Sequence, residues 1–541
     1  MGTPDPSSPR NGVRRLWALV TLAVVGMGVS LRAWLLFRTA VPPGVDAGYY
    51  PYQSRTLLEL GRLAYDDVPL RFLLDAVLAK AIMLLTGSSV DNATLWISRA
   101  VDSMTLPIVA VPIMVAGYIW SGSAAGKPVA SRQALAASAV MAISAITVRP
   151  VLDMIGDFQK QSMALALSAL AWLATWGALR ASSRSVAWRR GALASAFLLA
   201  TAFTHVGTFG AAAIGCVAML FARMWLGRTP VHRWLPVAIG VLALLGLAWL
   251  GMWSVAPAKA VALVAKPFSF YSEDGMDGPP SPLTQGWRGM IVYAAVLIVF
   301  GVVGFAMVRR ASLCRDTSPA DAAFALGMLV VIAVVTSPLL PGEYVLRLGL
   351  IAFTPLLLIV TYFLTTVRIE LGRSPWPSLC RWVVILGVLG ASLNSTMGSA
   401  VFRMPPMITA GGLEELRQWR SELATDFRTV VVARHGLEWW TGFALGSAVR
   451  MSEARASDFD RYEHVYVLKE TRSTLEGMDP REPPMPREGR WDRNRRNDRQ
   501  RGGPTSRMAL APIPADATVV RQGEWFTLYE LKRPATERAP G

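Results

Sequence analysis

Apolar residues along this chain fall into long, nearly uncharged blocks, not the short alternations of a soluble core. The first, LWALVTLAVVGMGVSLRAWLLF at 16–37, sets the type. Similar blocks lie at 95–119, 134–148, 162–179, 191–205, 208–226, 235–254, 287–308, 321–337, 348–366 and 382–401. Runs of roughly 17–25 such residues suffice to cross a bilayer as helices, and lipid offers no partner to a free backbone group. The pattern therefore predicts about eleven membrane-spanning helices over 16–401. The opening block is longer than a signal-peptide core and lacks a small-x-small cleavage site. It predicts an uncleaved first helix whose Arg32 and Arg38 reach the far surface. Residues 70–87, LRFLLDAVLAKAIMLLTG, are also apolar but carry Asp75 and Lys80, which predicts an amphipathic helix on the outer surface instead of a span.

Beyond residue 401 the pattern changes. GGLEELRQWRSELATD reads as a helix, RTVVVARHG as a buried strand and YEHVYVLKE as another, and TVVRQGEWFTLYELKR as a hairpin turning at Gln522–Gly523. The stretch 478–507, rich in Pro, Arg and Gly, has little to bury and predicts a disordered insertion. Residues 402–541 thus form a small α/β domain.

Composition changes one point. The chain has 541 residues, 53% hydrophobic and 17% charged, with a net charge of +17. In a soluble protein that charge would point to nucleic acid. Here the arginines concentrate in short connections such as RASSRSVAWRRG, GRTPVHRW and VRIELGRSPWPSLCR. The Lys/Arg bias puts these connections and residues 1–15 in the cytoplasm, and the domain 402–541 outside, with no nucleic-acid partner. Cys216, Cys314 and Cys380 show neither metal-ligand spacing nor a disulfide framework.

The same topology gathers chemistry on the outer side, in loops 38–94, 149–161, 255–286 and 338–347. The first reads VPPGVDAGYYPYQSRTLLELGRLAYDDVPLRF from residue 41, with Asp46, Tyr49, Tyr50 and Arg55 close behind the first helix. VRPVLDMIGDFQKQ supplies Arg149, Asp153, Asp157 and Lys160, the two acids four apart and on one face if helical. FTHVGTFG places His205 outside, KPFSFYSEDGMDG adds Glu273, Asp274 and Asp277, and PLLPGEYVLRLGL puts Glu343 and Arg347 at an outer helix mouth. Ionisable groups at membrane depth are costly and by default line a cavity or pair with each other. Carboxylates suit acid–base or metal work, and Arg and Lys suit phosphate. Each also has a plainer reading: an aromatic belt with a capping acid, a structural ion-pair set, a solvated loop, a turn histidine, an interfacial anchor.

The arrangement resembles the integral-membrane C-type (GT-C) glycosyltransferases, a superfamily that includes protein O-mannosyltransferases, aminoarabinose transferases and the oligosaccharyltransferase catalytic subunit. GVDAGYYPYQSRTLLELG carries an acid where such enzymes have one, RPVLDMIGDFQKQSMALAL is similar to their acid-bearing second loop, and YVLRLGLIAFTPLLL to the late helix whose arginine holds lipid phosphate. The resemblance implies an inverting transferase in the plasma membrane of a bacterial or archaeal cell, using a polyprenyl-phosphate sugar. Asp46 would be general base, Arg347 with Lys160 or Arg149 would neutralise the leaving phosphate, and Asp153 and Asp157 would position sugar, acceptor or cation. Tyr49, Tyr50, Arg55, His205 and Glu343 complete the expected substrate-binding set. A divalent cation (Mg or Mn), if used, would sit on Asp46, Asp153 and Asp157, although Asp-x-x-x-Asp replaces the tight Asp-x-Asp of metal-using members. The acceptor class (protein, lipid or polysaccharide) stays open. Trp439–Trp440 in HGLEWWTGFALG resembles the Trp-Trp-Asp acceptor motif but has Thr441 where the Asp stands, and reads as a buried aromatic pair. Two rivals remain: oligosaccharide transfer from a pyrophosphate-linked donor, and a lipid-linked sugar transporter or flippase.

Overall fold

The structure, a computed structural model, describes residues 9–122, 132–227, 234–257, 260–261, 318–337, 347–366, 376–402, 404–423, 426–471 and 512–533. The expected span at 287–308, the outer loop 262–286, Glu343 and the insertion 478–507 lie outside these residues. Every other expected span falls on a helix. The membrane part comprises α1 (Pro9–Phe37), α2 (Tyr49–Leu60), α3 (Leu70–Thr86), α4 (Val90–Thr105), α5 (Ala110–Trp120), α6 (Arg132–Thr147), α7 (Arg149–Leu152), α8 (Gln159–Leu179), α9 (Arg184–Ala202), α10 (Val206–Leu226) and α11 (Trp234–Val255). It continues with α12 (Pro319–Val335), α13 (Phe353–Thr366) and α14 (Trp376–Met397). Among the described residues, five helices are long and apolar enough to cross a membrane: Asn11–Phe37, Val90–Trp120, Gln159–Leu179, Val206–Leu226 and Arg347–Thr365. Shorter apolar helices cover Arg132–Thr147, Ala243–Val255 and Pro319–Val335.

One core joins these helices, with α8 against α9 and α10, α10 against α12, α12 against α13, and α6 against α13 and α14. Arg32 does not reach the far surface as expected. It is fully buried, 2.8 Å from the equally buried Asp102 of α4, and its Nε also donates to the Asp102 carbonyl. A charge paired inside the bundle has no need to snorkel. Arg38 instead donates to the carbonyls of Val401 and Phe402 (2.8 and 2.7 Å), tying the end of α1 to the segment after α14. In α3 Arg71 and Asp75 turn inward and pair at 3.0 Å, while Lys80 faces out with Val77, Leu84 and Leu85. This is an amphipathic helix whose apolar side is offered to lipid.

The small domain holds α15 (Ala410–Leu423), β1 (Thr429–Ala433), α16 (Leu437–Leu445), β2 (Ala448–Met451), α17 (Asp458–Arg461), β3 (His464–Glu470), β4 (Thr518–Gln522) and β5 (Phe526–Glu530). Its sheet runs β2-β1-β3-β5-β4, with β1 parallel to both neighbours and β5 antiparallel to β3 and β4. The apolar run TVVVA is buried at all five positions, as a central strand requires. The expected helix and strands are present, and the hairpin turns at 523–525, just past the expected Gln522–Gly523. α16 and β2 had no period strong enough to read. The domain does not hang free: Val41, Ala47 and Tyr52, in the segment after α1, share one core with Leu437, Trp440 and Phe443.

Candidate active site

Two loops meet backbone to backbone beyond the C-terminal end of α1. Gly44 has φ +117° and Gly156 φ +79°, values an L side chain rarely adopts. A Cβ on Gly156 would lie 2.1 Å from the Pro43 carbonyl oxygen, and one on Gly44 would lie 2.5 Å from Asp157 Oδ1. The two glycines therefore permit the approach that lets the Asp46 backbone N–H donate to Asp157 Oδ1 at 2.9 Å. Tyr50, buried, donates its hydroxyl to the Asp157 carbonyl at 3.1 Å.

The expectation that Asp153 and Asp157 share a helical face does not hold. The helix stops at Leu152, and turns through Gly156 separate the two acids before α8 begins at Gln159. Asp153 instead faces Arg149 (3.2 Å) and accepts from Ser399 Oγ (2.8 Å). Arg149 and Asp153 form a half-exposed ion pair against the end of α14, and only Asp157 joins Asp46.

The small domain supplies what sequence reading missed. Trp439 Nε1, at the start of α16, donates to Asp46 Oδ1 at 3.2 Å. Its ring meets Tyr49 edge-on at 4.8 Å and Tyr65 at 5.4 Å. Trp440 is the buried partner that packs under Gly48. One turn back, His435 Nδ1 pairs with Glu438 Oε1 at 2.9 Å, and Glu438 is 2% exposed. The only sequence signal for this was the aromatic pair itself, because nothing in the spacing ties residue 439 to residue 46.

A cationic edge completes the site. Lys160, in the first turn of α8, pairs with Asp67 and lies over the Tyr49 and Phe72 rings at 5.4 and 5.6 Å. Tyr49 also donates to Asp67. Arg347 is close enough for its charge to lower the Asp46 pKa, and its carbonyl accepts from Gln161 at 2.6 Å. Two expected binding residues have other tasks. Arg55 is fully buried, 3.1 Å from both Glu59 and Asp91, and donates to the Phe443 carbonyl, so it fastens the small domain and does not face a ligand. His205 caps α10 by accepting from Thr208 N at 3.2 Å.

Burial raises the Asp46 carboxyl above its ordinary range, against the pull of His435, the Trp439 hydrogen bond, Arg347 and Lys160. Asp157 is pushed up to about 6, by burial first, with repulsion from Asp46 opposed by the backbone N–H groups of Asp46 and Val45. His435 is raised chiefly by its bond to Glu438. The raised Asp157 has a consequence for stability. Between 3.8 and about 6 the folded protein holds this proton more tightly than the unfolded chain, so stability falls as pH climbs through that window. Asn at 157 keeps the acceptor oxygen and removes the charge. Asp157→Asn is therefore expected to stabilise the protein by about 2 kcal/mol at pH 7.5 and hardly at all below pH 4. Melting curves across that range check it, and a pH-independent difference would count against the charge as cause.

A cation held by Asp46, Asp153 and Asp157 does not fit this geometry, because Asp153 is committed to Arg149 and Ser399. Among the described residues no three His, Cys, Asp or Glu side chains form a group suited to a metal.

No protein-family model matches the chain, and no curated protein does. Among solved structures, it is similar to apo ArnT from Cupriavidus metallidurans, at 12% identity over 97% of this chain and 98% of that one, with a TM-score of 0.51. ArnT from the same organism bound to undecaprenyl phosphate gives 12% identity, coverage of 95% and 98%, and a TM-score of 0.49. An Archaeoglobus fulgidus oligosaccharyltransferase in complex with Zn and sulfate gives 13% identity, 82% of this chain and 67% of that one, and a TM-score of 0.45. Apolar helices bearing a small sheet domain, together with the full-length likeness to apo ArnT, show that this chain has the GT-C-like fold.

Proposed function

We propose that this protein is an integral-membrane glycosyltransferase that moves a sugar from a polyprenyl-phosphate donor to an acceptor hydroxyl on the extracytoplasmic side, with inversion. The observation that carries the reading is the Asp46 carboxylate, partly buried and raised in pKa, set at an outer helix mouth between Asp157 and Trp439. Oδ1 accepts the indole N–H, which leaves Oδ2 for the acceptor proton. The acceptor oxygen attacks the anomeric carbon as the bond to the phosphate oxygen breaks. Asp46 takes the hydroxyl proton, and the lipid phosphate leaves beside Lys160 and Arg347. Asp157 holds the Asp46 backbone in place.

Trp439 tests the role of the small domain. Its hydrogen bond lowers the Asp46 pKa, so Trp439→Phe is expected to raise it and move the acidic limb of the kcat/KM profile to higher pH. An unmoved limb would separate Trp439 from the base.

The decisive assay uses the purified full chain in nanodiscs, radiolabelled polyprenyl-phosphate sugars and a membrane extract as acceptor, with and without chelator. Transfer by the wild type that survives chelator and disappears in Asp46→Asn is the expected result. Retained transfer in Asp46→Asn removes the proposed base. Chelator-sensitive transfer favours the pyrophosphate-donor reading. Donor binding without transfer favours a transporter.

A further inference from the structure

Helices α8, α9, α10 and α11 line a half-open cavity of about 640 Å³. Its walls are small and apolar, with Gly191 and Ala194 from α9 and Ala213 and Cys216 from α10, and Arg184 and Trp188 line one end. Along α9 the lining runs from Arg184 to Leu198, about 21 Å at the helical rise. That exceeds half of the roughly 30 Å hydrocarbon layer, so the cavity is a slot along the helices and not a shallow dent. At Gly191 an added Cβ would meet nothing within 4 Å, which puts open space directly against the backbone.

The charge at the end of the slot indicates what fills it. The segment 180–190, RASSRSVAWRR, holds Arg180, Arg184, Arg189 and Arg190 and no acid. Arg180 is paired with Asp321 at 2.7 Å, and Arg190 donates to the Gly177 carbonyl at 2.7 Å. Arg184 is the arginine that lines the slot. Trp188 beside it is 68% exposed, as a side chain at the membrane–water interface is. An apolar slot longer than one leaflet, closed at one end by arginine and an interfacial tryptophan, complements an apolar chain with an anionic head. We infer that this slot is a binding site for one anionic phospholipid, with an acyl chain lying along Gly191 and Ala194 and the headgroup phosphate at Arg184. The headgroup end of the slot, at Arg184, lies nearly a full length of α8 from Lys160, about 28 Å, so the proposed phosphate position is separate from the candidate active site.

The test is native mass spectrometry of the full chain, extracted from nanodiscs of equal phosphatidylglycerol and phosphatidylcholine. Wild type is expected to retain a single phosphatidylglycerol, enriched about fivefold over phosphatidylcholine. Arg184→Gln should lose the enrichment and keep a bound lipid. Gly191→Leu should lose the bound lipid altogether, with melting and gel filtration showing that it folds. Equal retention of the two lipids by the wild type would overturn the inference. So would an adduct that persists in folded Gly191→Leu, or a polyprenyl phosphate found in place of the phospholipid. If Gly191→Leu does not fold, Arg184→Gln still decides, because unchanged enrichment in that variant overturns the headgroup assignment.

Discussion

Asp46→Asn is expected to lower sugar transfer by about 10²–10⁴-fold while the protein folds and binds donor as before. Asparagine is nearly the same size and can still accept the Trp439 N–H through its side-chain oxygen. The Asp46 backbone N–H that donates to Asp157 is untouched. What disappears is the ability to take a proton. The loss should therefore fall on kcat, with the donor KM little changed, since the cationic edge at Lys160 and Arg347 is intact. Single-turnover transfer with matched gel-filtration profiles makes the comparison. A loss confined to KM would mean that Asp46 contributes only binding.

Arg55→Ala is expected to cost about 3 kcal/mol of stability and to loosen the small domain from the first outer loop. The guanidinium is 0% exposed and lies between Glu59, Asp91 and the Phe443 carbonyl, so truncation leaves two acids facing each other in a partly buried seam. Arg417 and Arg420 lie 3.7 and 4.0 Å from Asp91 and soften the loss. Transfer should fall with stability, because α16 carries Trp439 to Asp46. Limited proteolysis of the small domain, run beside a melting curve, reads both effects. A variant that melts like wild type would show that the seam holds without this pair.

Local order was legible where one constraint dominates. The bilayer demands long apolar runs, and the helices α1, α8 and α10 lie on the predicted blocks because no other backbone arrangement is stable there. The strand TVVVA and the hairpin 518–530 follow from apolar runs and turn residues in the same way. Errors arose where a local pattern met a tertiary alternative. Asp153 and Asp157 have helical spacing, but the helix stops at Leu152 and the chain turns through Gly156, φ +79°, between them. Arg55 looks like a ligand-binding cation in a loop rich in acids and aromatics, and the docking of Phe443 makes it a buried staple.

What the sequence by itself determined is that the chain is built on long apolar helices, with an acid, Asp46, a few residues beyond the first of them. These depend on neighbours a few residues away and on a solvent that admits one solution. The tertiary structure decided which groups keep Asp46 company. Asp157 lies 111 residues along the chain and Trp439 lies 393. Arg32 finds Asp102 across 70 residues. Spacing carries no information at such separations, because the contacts exist only after loops close and domains dock, and there shape and buried charge choose the partners.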